Sequence, residues 1–289
     1  MEAPHKWFLN NFTAKQRIRD IEKLSYDNEK RIFKTLKPID ETQAPREIRS
    51  LIKSINRLIG YFEDRSQHER DFSANASHEL RTPLAGIRLQ TEIAMVSDDP
   101  LVRDKAHANI LIALDQSERL IEQLLTLARL TADRVELVKK TFDCGELVSH
   151  VVANLLRPAQ EKNIHLKVKK QPKAFLRANE ESISILLHIL IRNAIHYTPC
   201  GGTITVKVAL SKNKVQLSVT DSGPGIAKEE HERILKRFHK ASGSKGSGSG
   251  LGLAIAKRIC DLHHATLELE EPIVNKGLNI SASFPRHQI

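Results

Sequence analysis

The chain has 289 residues, with 45 Lys or Arg against 35 Asp or Glu, a formal net charge of +10; that length leaves room for two or three compact units. An apolar share of 40% with 28% charged residues excludes wholesale disorder and collagen-like repeats. Aromatics make up only 4%, too few for a base-stacking platform, so a nucleic-acid partner would rest on charge alone and is not expected.

The N-terminus, MEAPHKWFLNNF, lacks the apolar run of a secretory signal. The stretch to about Leu36 is polar, with turn signals at Asn10-Asn11 and Asp27-Asn28, and Lys37-Pro38-Ile39 and Ala44-Pro45 bracket a connector. Beyond it Ile48, Leu51, Ile55, Leu58 and Phe62 alternate spacings of three and four. This heptad seam, flanked by charges from Arg46 onward, predicts a helix that needs a partner helix, hence a dimer. The pattern continues through Phe72, Leu80, Leu84, Ile87 and Ile93 and stops at Ser97-Asp98-Asp99-Pro100, a turn cluster that also supplies an N-cap. A second long helix carries Ile110, Leu114, Ile121, Leu124 and Ala128 on one face. The two helices predict an antiparallel hairpin, and two copies of it a dimeric all-α four-helix bundle.

From Thr141 the texture changes. An amphipathic helix (Leu147 to Leu156) precedes the strand-like IHLKVK, and a helix from Glu180 to Tyr197 precedes the alternating strands TITVKVAL and VQLSVTD. A Gly/Ser-rich segment then runs into a helix (Leu251 to His263) and the closing strands TLELEE and NISASF. Helices mixed with mostly antiparallel strands predict a separate α+β layered domain. The most apolar run, Ile183 to Ile191, is broken by His188 and is too short to span a bilayer; the chain as written reads as soluble. Cys144, Cys200 and Cys260 show no CxxC spacing, which fits a reducing cytoplasm better than a disulfide framework.

Four clusters carry chemistry, each open to a plainer reading. In FSANASHELRTPL, His78 and Thr82 are four apart and share a helical face, and Pro83 predicts a kink or flex beside them because its ring clashes with the Glu79 carbonyl. A neutral imidazole nitrogen can attack while a carboxylate takes the proton from the other, or the pair is simply polar surface on a coiled coil. Zinc is excluded, since Thr82 stands where HExxH needs its second histidine. In RNAIHYTP, Asn193 offers a hard amide oxygen suited to Mg²⁺, or is a polar-face residue. In DSGPGI, Asp221 could accept from an adenine amino group with Gly223 and Gly225 letting backbone close in, or the segment is a turn. In GSGSGLGLAI, Gly248, Gly250 and Gly252 lead straight into a helix whose free amides and dipole suit phosphate, without the Gly-Lys-Ser/Thr of a Walker A loop.

The order and spacing of the clusters resemble the sensor histidine kinases of bacterial two-component systems. The H-box is read in ASHELRTPL, the N-box in RNAIHYTP, the G1 box in DSGPGI, the F-box in LKRFHK around Phe238, and the G2 box in GSGLGLAI. Pro38-Ile39 and the helix from Arg46 to Phe62 look like the second half of a HAMP relay module, and QTEIAMVSDDP and LIEQLLTLARL are similar to membrane-bound kinases of the QseC type. The resemblance covers about four-fifths of the chain and implies three parts. These are a HAMP-like segment over 1–62, a dimerisation and phosphotransfer hairpin over 63–134, and an ATP-binding α+β sandwich of the GHKL type over 135–289.

By that resemblance His78 is the phosphoacceptor, Glu79 its general base, and Thr82 the residue that orients a hydrolytic water when such kinases dephosphorylate their partner. Asn193 would bind Mg²⁺ and Asp221 would read adenine, with Gly223, Gly225 and Ile226 bordering the base. His196, Tyr197 and Phe238 would complete the nucleotide site. Gly248, Gly250, Leu251 and Gly252 would lie at the phosphates, with Lys228 to Ser247 as a mobile lid. Phosphoryl transfer demands mainly positioning and charge neutralisation, which this division of parts serves.

Three positions depart from the family pattern. Ile189 stands for a second N-box Asn, His196 for a Lys or Arg, and His239 for the aromatic after the F-box Phe. A working enzyme is expected, with lowered nucleotide affinity or turnover at Ile189. Its partners would be a second copy, ATP with Mg²⁺, and a response regulator carrying the acceptor aspartate. The family's membrane spans and sensor region are missing, so the expectation is either a cytoplasmic portion of an inner-membrane sensor, with Trp7-Phe8-Leu9 suited to the interfacial end of a span, or a naturally soluble form that takes its input from another protein. A nucleotide-binding scaffold without turnover, and a Gly-lid ATPase of the chaperone or DNA-repair kind, are the competing readings.

Overall fold

The computed structural model describes residues 38–40, 42, 48–131, 137–171, 173–211, 213–241, 248–272 and 276–286. The readings made on the first 36 residues, on Trp7-Phe8-Leu9, on Arg46 and on lid positions 242–247 lie outside the described residues. The chain divides into two compact units, Met1–Ala74 and Asn75–Ile289.

In the first unit Ile39 and Ile52 are buried together, with Ile48 and Ile55 packed against them. Asn56 fixes the connector. Its Nδ2 donates to the Ile39 carbonyl at 2.9 Å, and its Oδ1 accepts from the Ile39 N–H at 2.7 Å. One side chain thus satisfies both backbone groups of a residue that has no helical or strand partner. The seam residues Leu51, Leu58 and Phe62 remain more than half exposed.

The first helix, α1 (Arg49–Val96), is uninterrupted, with Pro83 inside it. Pro83 has no N–H to donate, so the backbone bond toward the Glu79 carbonyl is missing while the helix continues on both sides. One residue earlier, the Thr82 hydroxyl donates to the His78 carbonyl at 3.4 Å. The break at Ser97 to Asp99 falls where the turn residues place it, and Asp99 Oδ1 caps the next helix by accepting from Leu101 N–H at 2.9 Å. That helix, α2 (Pro100–Thr131), folds back so that Asn109 Nδ2 reaches Gln90 Oε1 across the hairpin at 3.2 Å. The side chains it buries are Ala106, Ser117, Leu120, Leu127 and Leu130. Leu114 and Ile121, from the apolar stripe read in the sequence, stay exposed.

The layered part begins with β1 (Lys140–Asp143), then α3 (Cys144–Glu161), β2 (His165–Lys170), β3 (Phe175–Ala178) and α4 (Glu180–Tyr197). It continues with β4 (Thr203–Leu210), β5 (Lys214–Asp221), a 3₁₀ turn (Lys228–Glu230), α5 (Gly252–Leu262), β6 (Thr266–Glu270) and β7 (Asn279–Pro285). The main sheet has the order β2-β4-β5-β7-β6, with only β2 and β4 parallel, while β1 and β3 pair separately. Alternation puts Val206, Val219 and Ile280 in register on the buried face. The apolar stripes of α3 (Val148, Val151, Leu155), α4 (Ile183, Leu187, Leu190) and α5 (Ile255, Ile259) complete the core. The edge strand β2 carries Lys167, Lys169 and Lys170, and the opposite edge, β6, carries Glu268 and Glu270.

Buried His263 ties two helix ends together. Its Nδ1–H donates to the Ile259 carbonyl at 2.8 Å, and its Nε2 accepts from the Asn179 N–H at 3.1 Å. Only one neutral tautomer makes both bonds. Asn179 is in turn the N-cap of α4, with Oδ1 accepting from Ser182 N–H at 2.8 Å.

Candidate active site

The start of α5 organises the site. Its N-cap position, Leu251, makes no side-chain cap bond, so the first-turn amides and the positive end of the helix dipole are not covered by a cap. Three glycines keep the approach open. A Cβ added at Gly252 would lie 3.6 and 3.7 Å from the Asn193 amide atoms, and one added at Gly248 would lie 3.7 Å from the Tyr197 hydroxyl. Gly250 has φ +71°, and a Cβ there would come within 2.6 Å of the Phe238 backbone, so the loop can close only with glycine at this position. The Leu251 side chain is fully buried, which leaves its backbone as its contribution. A glycine loop opening onto an uncapped helix start fits the phosphates of a nucleotide.

The G1 segment closes the other side. Asp221 ends β5, and its Oδ1 accepts from Gly223 N–H at 2.8 Å. Burial pushes the Asp221 carboxyl above its ordinary value, opposed by backbone hydrogen bonds from Gly223 and Leu278. Gly223 is buried, and a Cβ there would meet the Tyr197 carbonyl at 2.9 Å. Gly225, at φ +76°, leaves room for the carbonyl of Gly277. The Ile226 carbonyl is held by His231 Nε2 at 3.0 Å. Phe238 is half-buried at φ +62°, and its N–H donates to the Gly250 carbonyl at 3.0 Å.

On α4, the His196 ring stands edge-on to Tyr197 with centroids 4.7 Å apart. Burial pushes the Tyr197 phenol up. It pushes His196 down, aided by the positive charges of Lys162 and Arg119. Arg192 is likewise lowered by burial and by Arg119, with Glu122 opposing. Lys162 donates to the Ile195 and His196 carbonyls, both at 2.9 Å, and so closes the C-terminal end of the N-box helix. Ile189 lines the site where an amide was expected, its Cγ2 3.3 Å from a Cβ at Gly252. Among the described residues no three His, Cys, Asp or Glu side chains cluster to hold a metal. A cation here would depend on Asn193 and phosphate oxygens, as Mg²⁺ commonly does.

His78 and Thr82 are exposed on α1. Glu79 joins them to the nucleotide side through Lys240, whose Nζ donates to both of its carboxylate oxygens at 3.0 and 3.1 Å. Ser249, between two of the glycines, donates to Gln123 Oε1 on α2 at 2.6 Å, and Arg258 Nε of α5 donates to the Leu130 carbonyl at 2.8 Å. Sequence reasoning placed Lys240 only in the F-box and lid and Ser249 only in the glycine run, and assigned no role to Gln123, Arg258 or Gly277. Bonds between side chains more than 100 residues apart leave no periodic signal.

Family comparison agrees with this layout. Residues 68–133 match the His Kinase A (phospho-acceptor) domain, and residues 178–288 match the histidine kinase-, DNA gyrase B- and HSP90-like ATPase family. The chain carries both domains of a sensor histidine kinase. Among relatives of these kinases, the sensor protein kinase PmrB of Pseudomonas aeruginosa is 34% identical over 282 residues, covering 96% of this chain and 58% of PmrB. The sensor protein QseC of Salmonella typhi is 35% identical over 252 residues, covering 86% of this chain and 55% of QseC. The chain therefore spans little more than half the length of either relative.

Full-length ShkA in complex with AMPPNP superposes with a TM-score of 0.56 at 26% identity, covering 73% of this chain and 45% of ShkA. ThkA in complex with the response regulator protein TrrA has the same fold, with a TM-score of 0.63 at 23% identity over 79% of this chain and 66% of ThkA. The expected fold, a helical phosphoacceptor part followed by a GHKL-type sheet domain, is the one found. Among the described residues no helix is long and apolar enough to cross a membrane.

Proposed function

We propose that this chain phosphorylates His78 from ATP and passes the phosphoryl group to an aspartate of a response regulator. The observation that carries the reading is that Asn193 and Tyr197 of α4 border the glycines 252 and 248 that open α5, while the Tyr197 carbonyl lies against Gly223 beside Asp221, in the same compact unit as His78. In this reading Asp221 accepts from the adenine amino group and Gly223, Gly225 and Ile226 border the base. Tyr197, His196 and Phe238 wall the site, and the amides from Gly248 to Gly252, Leu251 included, take the phosphates. Asn193 gives its amide oxygen to Mg²⁺, which neutralises charge on the phosphates when bound. One ring nitrogen of His78 attacks the γ-phosphorus, the bond to the β-phosphate oxygen breaks, ADP leaves, and Glu79 accepts the proton from the other ring nitrogen. Thr82, one turn away, orients a water when the chain instead dephosphorylates the regulator. ShkA's complex with AMPPNP and ThkA's with a response regulator support the same assignment here.

The working form is a homodimer. Leu114 and Ile121 on α2, with Leu84 and Ile93 on α1, form exposed apolar stripes of the kind a second hairpin covers in a four-helix bundle. Its setting is the cytoplasmic portion of a membrane sensor; PmrB and QseC, sensor proteins by name, are both longer than this chain.

Incubation with γ-³²P-ATP and Mg²⁺ tests the reading. Acid-labile, base-stable label, absent in His78→Gln, is the expected result; Thr82→Ala keeps that label and loses dephosphorylation of the regulator. One observation favours a second reading: Ile189 presents a methyl group where an amide would serve the metal. Nucleotide binding without label would establish that scaffold reading instead.

A further inference from the structure

The ion pair between Lys240 and Glu79 joins residues 161 apart in sequence, at 3.0 Å, with side chains only 36% and 27% exposed. Neither residue caps a helix, and the ammonium addresses both carboxylate oxygens at once. The backbone that presents Lys240 is itself constrained. Two residues earlier, Phe238 adopts a left-handed φ of +62° and donates its N–H to Gly250. Any Cβ at Gly250 would strike the Phe238 main chain. Lys240 is thus tied at one end to the glycine loop and at the other to the residue next to His78.

We propose that Lys240 is a positioning residue for phosphorylation of His78, orienting the Glu79 carboxylate and doing so only when the segment after Phe238 lies against α1. The proposal rests on the kinase reading above. A base that serves a nucleophile needs a third group to fix its orientation. A glutamate on a helix surface has many rotamers, and two hydrogen bonds from one ammonium hold the carboxylate plane while leaving lone pairs for an imidazole N–H. Because the orienting group comes from the segment bonded to Gly250, the geometry of the phosphate loop and that of the base are set together. Lys240 acts through Glu79 and does not touch the nucleotide.

Two measurements on the whole chain test this. A water-soluble carbodiimide activates a carboxylate, and a neighbouring amine displaces the activator as urea to form an isopeptide bond. Mass spectrometry is expected to find the Lys240–Glu79 cross-linked peptides, and their absence overturns the contact. Lys240→Met is expected to lower kcat for autophosphorylation about tenfold, the scale of a charge-assisted hydrogen bond, with the KM for ATP and the melting temperature unchanged. Lys240→Arg is expected to restore most of the rate. In a Glu79→Gln background Lys240→Met adds no further loss, since the two residues act as one unit. A raised KM at constant kcat, or fully additive losses, would place Lys240 on the nucleotide and overturn the proposal. Label in the native chain that Lys240→Met leaves untouched sinks this inference alone, whereas no label in the native chain sinks the kinase reading with it.

Discussion

The ATP-binding domain and the helical hairpin treat apolar residues in opposite ways. Along α4, Ile183, Leu186, Leu187, Leu190 and Ile191 are all at most 1% exposed, sealed between the sheet and α3 and α5. Along α1 and α2, Leu84, Leu111, Ile112, Leu114, Ile121 and Leu125 lie open. The first region closes its core within one chain; the second has a core only in part and leaves the rest of its apolar stripe exposed. If the proposed homodimer uses that stripe, stability and association rest on different residues, and substitutions separate the two.

The largest effect is expected in the closed core. Leu187→Asp buries an unpaired carboxylate, which costs about 4–5 kcal/mol. Loss of the cooperative melting transition and of nucleotide binding, with the helical signal of the hairpin retained, is the outcome that fits a self-contained domain. Survival of nucleotide binding would show that α4 is less sealed than its burial implies.

An intermediate effect follows from His263. Burial, with Lys139 and His264 adding to it, lowers its proton affinity in the folded chain, against a smaller opposing contribution from the Ile259 carbonyl. The unfolded state then binds a proton the folded state refuses. The stabilisation is present above the ordinary histidine value and is lost as pH falls below about 6.5. His188 and His196, also lowered, act with the same sign. Melting temperature is expected to fall between about pH 7 and about pH 5.5, and less steeply in His263→Gln. Equal slopes in the two chains would show that the ring does not titrate with folding.

The smallest effect on the fold is expected in the open stripe. Replacing Leu114 and Ile121 together by Ser removes little burial within the chain, so the melting of the ATP-binding domain should move by less than about 0.5 kcal/mol. The same pair should shift the chain toward monomer in analytical ultracentrifugation. An unchanged dimer would assign association to the first unit, where Leu51, Leu58 and Phe62 are also exposed.

The contrast also governs what could be read from sequence. The strands TITVKVAL and VQLSVTD, the stop at Ser97 to Pro100 and the glycine run into α5 were legible because alternation, turn chemistry and helix starts are local. The apolar stripe of the second helix was legible as a stripe, but periodicity does not say whether it meets its own chain or another, and Leu114 and Ile121 turned out to be exposed. The short β1 and β3 were missed, four residues each being too few for a period to emerge. Asn193, Asp221 and the glycines could be named from motif order, whereas the hydrogen bond from Ser249 to Gln123 and the ion pair of Lys240 depend on how the hairpin and the sheet domain pack together.

The edges of the sheet carry one more consequence. Strand β2 ends the sheet with Lys167, Lys169 and Lys170 along six residues, and its outer backbone groups form a template on which another strand could grow. Lys167 and Lys169 share one face of the strand, whereas Lys170 lies on the other and donates to Ser149 Oγ at 3.1 Å, so two such edges brought together would set four ammonium groups on one face, and sheet extension between copies is opposed at low ionic strength. Salt shortens the reach of that repulsion to about 10 Å at 0.1 M and about 3 Å at 1 M. Concentrated, salty solutions are thus the conditions under which this chain loses its protection against edge-to-edge aggregation.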